Sequence, residues 1–266
     1  MQWNVLASTK ADDFIINSSE DGCLDWAFRS RRIADIIREK NPDIVTLQEA
    51  DKPEDIICWL TGWSYVELDK EEVVVLYKPA RFLMLNYNRI TRKTLSVQLY
   101  DKDNDKTITV VSSHFKSGRS INSEKKRQEQ FEQLKKHLDF VNSWIMGADI
   151  NCDENYTATD LSFNEILSNY CSVYKPDVST FKIRSLNSPQ VDKRGELANW
   201  SIDRIAWTSE YNFTPTTNYT RQEIDFDVKE VVEVNKLEYS DILNLNVLPT
   251  RENPSDHFPL VGTFTY

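Results

Sequence analysis

The chain has 266 residues, 40% of them hydrophobic and 28% charged, with a formal net charge of −10. That size and balance suit a soluble globular protein with a real core, and no apolar run approaches the length of a membrane span. The negative balance argues against a general polyanion binder, which needs a basic surface to displace counterions, but it leaves room for a small anion in a locally basic pocket.

Cys23, Cys58, Cys152 and Cys171 are widely spaced, so reduced thiols are a simpler reading than two disulfides. The start, Met1 to Leu6, lacks the basic region and cleavage site of a signal peptide, and a cytoplasmic location is expected.

In chain order, Trp3 to Leu6 reads as a short strand carrying one polar residue, Asn4, which is either an edge residue or an amide that orients a phosphate or metal ligand. From Asp25 to Lys40 the spacing of Trp26, Ile33, Ile36 and Ile37 predicts a helix, capped by Asp25 and stopped at Asn41-Pro42. Asp43 to Leu47 is a buried strand that runs into Gln48-Glu49. Glu49 is a solvated loop carboxylate or a ligand for a hard divalent cation.

Pro53 to Leu60 predicts a short helix, Glu71 to Tyr77 a central strand, and Leu95 to Leu99 with Thr107 to Ser113 a hairpin turning at Asp101 to Asp105. His114 ends that hairpin, followed by Lys116 and Gly118, residues that suit an anion site. Ser123 to Ser143 predicts a long helix with Phe131, Leu134, Leu138 and Val141 inward and His137 on the surface.

Trp144 to Asn151 is a strand presenting Asp149 and Asn151 two positions apart, a carboxylate and an amide able to activate a water and hold a phosphate oxygen. Leu161 to Leu167 is helical. Ser179 to Arg184 is a strand whose Lys182 and Arg184 share a face, and Ser185 to Leu197 is a polar loop. Trp200 to Trp207 reads as one strand with a carboxylate, Asp203, in its apolar interior; it needs a partner, and His257 is the choice made. Near the end, Pro254-Ser255-Asp256-His257 precedes a closing strand from Phe258 to Phe264. Neither a repeat nor a linker divides the chain, so residues 1–266 are expected to form one domain.

Six segments in order are similar to the endonuclease/exonuclease/phosphatase superfamily, the deoxyribonuclease I-like fold: Trp3 to Leu6, Ile44 to Glu49, Ser112 to Phe115, Asp149 to Asn151, Ser201 to Ile205 and Ser255 to His257. Within it, Met1 to Ala7, Thr180 to Arg184 and Asn246 to Pro249 resemble the carbon catabolite repressor deadenylase and nocturnin branch, nocturnin most closely.

The resemblance implies an α+β fold, a four-layer αββα sandwich. It also implies Mg²⁺, with Mn²⁺ as a substitute, bound by Glu49 with Asn4 and Asp256 helping. Asp149 would activate water, Asn151 hold an oxygen, His257 oriented by Asp203 stabilise charge on phosphorus, and His114 support the phosphate. Lys116, Lys182, Arg184 and Arg251 are the candidate substrate contacts.

Ala148 stands where the family usually has glycine, Arg204 where it has tyrosine, and Val247 where nocturnin-like chains have arginine. These departures bear on substrate, not on reaction type. The expected activity is a monomeric, nocturnin-like 2′-phosphatase of NADP(H). The alternative is a 3′-to-5′ exoribonuclease (a poly(A)-specific deadenylase) acting on the 3′ end of single-stranded RNA. A non-catalytic interaction module on the same fold ranks last.

Overall fold

The computed structural model describes residues 1–11, 22–68, 72–141, 143–152, 162–174, 181–182, 199–208, 227–233, 251 and 253–265. Two six-stranded sheets make its centre. The first has the order β13-β14-β1-β2-β4-β3, the second β5-β6-β7-β8-β12-β9. The strands of the first are β1 (Gln2–Asn4), β2 (Ile44–Gln48), β3 (Ser64–Glu67), β4 (Val73–Tyr77), β13 (Asp227–Glu233) and β14 (Leu260–Thr265). Those of the second are β5 (Phe82–Thr91), β6 (Thr94–Asp101), β7 (Lys106–His114), β8 (Trp144–Asp149), β9 (Ser172–Tyr174) and β12 (Asp203–Trp207). β10 (Phe181–Lys182) and β11 (Asn199–Trp200) pair separately.

Alternation along the strands builds four layers. In β4, Val73, Val75 and Tyr77 face Phe82, Leu95, Val97, Leu99, Ile108 and Val110 of the second sheet, closing the core between the sheets. Val74 and Leu76 point the other way, with Val45 and Leu47, against helix α2 (Trp26–Lys40) through Ile33, Ile36 and Ile37. The second sheet's outer face packs Val111, Met146 and Ala148 against Phe131, Leu134 and Leu138 of α4 (Ile121–Leu138) and Phe163 and Leu167 of α5 (Phe163–Tyr170). The remaining helices among the described residues are short: α1 (Ser8–Ala11) and α3 (Pro53–Ile57).

Each sheet contains one parallel pair, β1 with β2 and β7 with β8. α2 lies in the crossover of the first pair and α4 in that of the second, so the C-terminal ends of each parallel pair open on one edge. The sheets approach closely at Gly147. A Cβ there would stand 1.9 Å from Thr46 Oγ1 and 2.8 Å from Gln2 Cγ, so only glycine fits.

Several local expectations shift. Asp25 does cap α2, accepting from Phe28 N, and Asn41 ends it at φ 49°. The helix expected from Ser123 to Ser143 spans Ile121–Leu138, because Ser120 accepts from Ser123 N and starts it earlier. His137 is half-buried rather than on the surface, its Nε2 3.0 Å from Ser96 Oγ. The run from Trp200 to Trp207 is two strands, β11 and β12, and Asp203 opens the second instead of lying inside one. β3, β5, β9 and β13 are strands the sequence pattern does not show; Leu83, Leu85 and Tyr87 of β5 are exposed, so its pattern lacks a polar outer face. The cysteines are all free thiols. No described helix is long and apolar enough to cross a membrane.

Candidate active site

Strand ends assemble the site. β1 ends at Asn4, opposite Gln48, and β2 hands on to Glu49. β7 ends at His114, opposite Asp149 at the end of β8, and Asp203 at the start of β12 also faces Asp149. His257 stands just before β14. Glu49 adopts φ 57°, which ends its strand at a cost of about 1–2 kcal/mol for a residue with a Cβ.

In the first half, the Asn4 amide nitrogen donates to Glu49 Oε1 at 3.2 Å and to Asp149 Oδ2 at 2.9 Å. Its oxygen accepts from Leu6 N at 3.1 Å, which fixes the amide's orientation. Asn4 therefore presents a donor, not a metal-binding oxygen, to the two carboxylates it bridges. Glu49 also takes Ala7 N at 3.3 Å and Lys10 Nζ at 2.9 Å. Burial alone would raise Glu49, but the His114 and Lys10 charges outweigh it and hold the carboxyl far below its usual range. Burial pushes His114 down to about 3. Near neutral pH His114 is thus uncharged, and Lys10, with the more distant His257, keeps Glu49 ionised. His114 Nε2 lies 3.6 Å from Asp149 Oδ2 and 3.9 Å from Glu49 Oε1.

In the second half, His257 Nδ1 is 2.8 Å from Asp203 Oδ2, with both residues buried. The other ring nitrogen is 4.0 Å from Asp149 Oδ2 and 3.8 Å from Asp256 Oδ2. Burial disfavours the imidazolium, yet Asp203 and Asp256 together lift His257 to about 10, so it is protonated at neutral pH. Asp149 is pushed up to about 7, mainly by burial, with His257 opposing and Asp203 and Glu49 adding.

Beneath lies a buried polar layer. Gln2 Nε2 donates to Asp203 Oδ1 at 2.9 Å and to Gln48 Oε1 at 2.8 Å, and Gln48 Nε2 reaches Ser112 Oγ at 3.2 Å. Ser255 Oγ donates to Asn4 O at 2.7 Å, tying the segment that carries His257 to β1.

Buried arginines brace the loops. Arg29 donates to Pro254 O at 2.7 Å and to the carbonyls of Val5 and Leu6. Arg127, paired with Glu124, donates to Lys116 O at 2.7 Å, Gly118 O at 2.9 Å and Asn151 O at 3.1 Å. Arg204 joins Asp203 O to Asn164 Oδ1, and Asn164 in turn holds Cys152 O. Asn151 is past the end of β8 at φ 50°, not in alternation with Asp149; its backbone N–H donates to Asp149 Oδ1 at 2.9 Å and its side chain to Phe115 O at 3.0 Å.

The structure thus gathers Asn4, Glu49, His114, Asp149, Asn151, Asp203, Asp256 and His257 at one edge. Lys116 and Arg251 are exposed. Lys182 pairs with Asn199 through the backbone, and Arg184, the polar loop and Asn246 to Pro249 lie outside the described residues. Lys10, Gln2, Arg29 and Arg127 carry no sequence signal of a site; only spatial pairing shows them.

The donors suit a hard divalent cation, which prefers carboxylate oxygens. Asp149, Asp203 and His257 offer ligand atoms within 4.8 Å of one another. His257 Nδ1 is already committed to Asp203, and Asp149 is held by the Asn4 amide and the Asn151 N–H, which leaves the carboxylates of Glu49 and Asp256 as the candidate oxygen ligands. Glu49 already bonds a cation, Lys10. A cavity of about 260 Å³ between the sheets, lined by Asp43, Arg81, Phe82 and Phe264, is at the opposite strand ends and shares none of these groups.

Residues 1–257 match the Endonuclease/Exonuclease/phosphatase family. No curated protein matches by sequence. Among solved structures the fold is similar to the human Nocturnin catalytic domain, with 16% identity, TM-score 0.61 and coverage of 99% of this chain and 93% of that one. ANGEL2, a 2′,3′-cyclic phosphatase in complex with adenosine-2′,3′-vanadate, has 14% identity, TM-score 0.67 and coverage of 99% and 94%. A Bacteroides thetaiotaomicron mannosyl-6-phosphatase has 15% identity, TM-score 0.64 and coverage of 100% and 98%.

Proposed function

The chain belongs to the Endonuclease/Exonuclease/phosphatase family, and from that premise we propose that this metal-dependent phosphoesterase hydrolyses a phosphate ester of an adenine nucleotide, the 2′-phosphate of NADP(H) first among them. The observation that carries the reading is the buried His257–Asp203 pair at 2.8 Å, with Asp149 4.0 Å from the other ring nitrogen. A protonated imidazole beside a carboxylate whose pKa is near 7 gives a charge stabiliser and a proton acceptor in one place.

Asp149 takes the proton of the attacking water. His257, held by Asp203, stabilises the charge that grows on the phosphoryl oxygens. Asn151, pinned by Phe115 O, holds a further oxygen, and neutral His114 donates from the facing strand. Mg²⁺, held by Glu49 with Asp256 beside it, would supply positive charge on the phosphoryl oxygens.

Two features favour a small nucleotide over an RNA strand. The net charge of −10 lacks the basic track that single strands require. Phe115 is fully buried against Phe163, and Trp63 packs on the first core under Lys78, so neither is a stacking platform. The adenosine-2′,3′-vanadate bound by ANGEL2 motivates the nucleotide class. The test is phosphate release from NADP⁺ with Mg²⁺, run beside shortening of a labelled oligo(A), for wild type and Glu49→Ala. Phosphate release lost in Glu49→Ala is expected. Shortened oligo(A) without phosphate release would replace this reading with the exoribonuclease.

A further inference from the structure

Lys10 stands on α1, which begins four residues past the end of β1. The loop that carries Glu49 also anchors this helix: Asp51 accepts from Ser8 N at 2.9 Å and from Ser8 Oγ at 2.7 Å. Lys10 and Glu49 are therefore set by one packed unit, and their contact is not a chance meeting of two loose side chains. The ammonium lies 2.9 Å from Glu49 Oε1 and feels Glu72 and Asp256 as well. The two partners differ in freedom. The Lys10 side chain is 43% exposed and its head can swing into water, whereas Glu49 is 12% exposed and also held by Asn4 and Ala7.

We propose that Lys10 is a displaceable occupant of the divalent-cation position: the cation enters at Glu49 only as the ammonium leaves, and the pair sets metal affinity below what the carboxylates alone would give. This rests on Glu49 being a metal ligand. A site whose binding-competent form is only part of the population loses apparent affinity by that fraction. A half-exposed ion pair favours its closed form by about fivefold at most, so the penalty is of that order. The freed ammonium then stays beside the site as a positive charge.

The test is Mn²⁺ binding to the full chain, without substrate, by titration calorimetry. Lys10→Met keeps the apolar stem and removes the competitor; it should tighten Mn²⁺ about fivefold. Lys93→Met, which removes a lysine paired with Glu72 at 3.3 Å, should change affinity less than about twofold. Unchanged or weaker binding in Lys10→Met overturns the proposal. So does equal tightening in Lys93→Met, which would assign the effect to net charge. Glu49→Gln separates the two levels: lost Mn²⁺ binding upholds Glu49 as ligand, and retained binding overturns the metal reading itself.

Discussion

Glu49 and Asp149 occupy matching places. Each follows or ends the second strand of a parallel pair, each is largely shielded from water, and both accept from the same Asn4 amide. Their charge states nevertheless diverge. Glu49 is held ionised far below its usual range, while Asp149 is lifted to about 7. The scaffold does not make the difference; the neighbours do. Burial acts on both and each accepts a backbone N–H, but Glu49 has the Lys10 ammonium in contact, whereas Asp149 has two further carboxylates, Asp203 and Glu49, beside it. A repeated strand end thus delivers two carboxylates, and local charge makes one a cation holder and the other a proton acceptor.

The largest expected effect would break that division directly. Asp149→Asn should lower kcat by about 10²–10⁴-fold while Mn²⁺ affinity holds, and Glu49→Gln should lose the metal. Equal metal loss in both variants would merge the two roles. Next, the braces of the two halves differ, because Arg127 is neutralised by buried Glu124. Glu124→Gln leaves a buried cation without its partner and should cost about 3–5 kcal/mol in urea unfolding, with activity falling as Asn151 and Lys116 loosen.

A smaller effect comes from the sheet contact both halves share. Gly147→Ala forces Thr46 and Gln2 apart and should cost about 1–3 kcal/mol. The smallest is thermal. An acid raised in the folded state favours folding while protonated, and that contribution fades as pH rises from near 4 through about 7 for Asp149. Above pH 7, metal-free Asp149→Asn should therefore melt a few degrees higher than wild type. Scanning calorimetry at two pH values decides it. In the active protein, kcat/KM should rise as Asp149 deprotonates near 7 and fall as His257 loses its proton near 10.

Much of this was legible in the sequence, for a physical reason. Asp203 is a charge within an apolar run, which demands a partner, and only three histidines were available to supply one. Strand-end polar clusters likewise stand out against hydrophobic runs. Lys10 does not: a lysine on a four-residue helix looks solvated until the fold sets it on Glu49. Gln2 precedes the strand read at Trp3 and Gln48 follows the one ending at Leu47, and their pairing follows from sheet stacking, which no local pattern encodes. The orientation of the Asn4 amide was hidden for the same reason, since it depends on Leu6 N and on two carboxylates far along the chain.

One pairing carries a consequence for how the molecule is made. β1 lies between β2 and β14, with Gln2 opposite Leu260. A strand from the start of the chain is closed by one from its end, a contact of extreme sequence separation that pays its loop-closure entropy late. Helices and the local hairpins can form early in refolding. The imidazole beside β14 reaches Asp149 and Asp203 only when that last closure is complete, so catalytic activity should return with the slowest kinetic phase and trail the recovery of secondary structure.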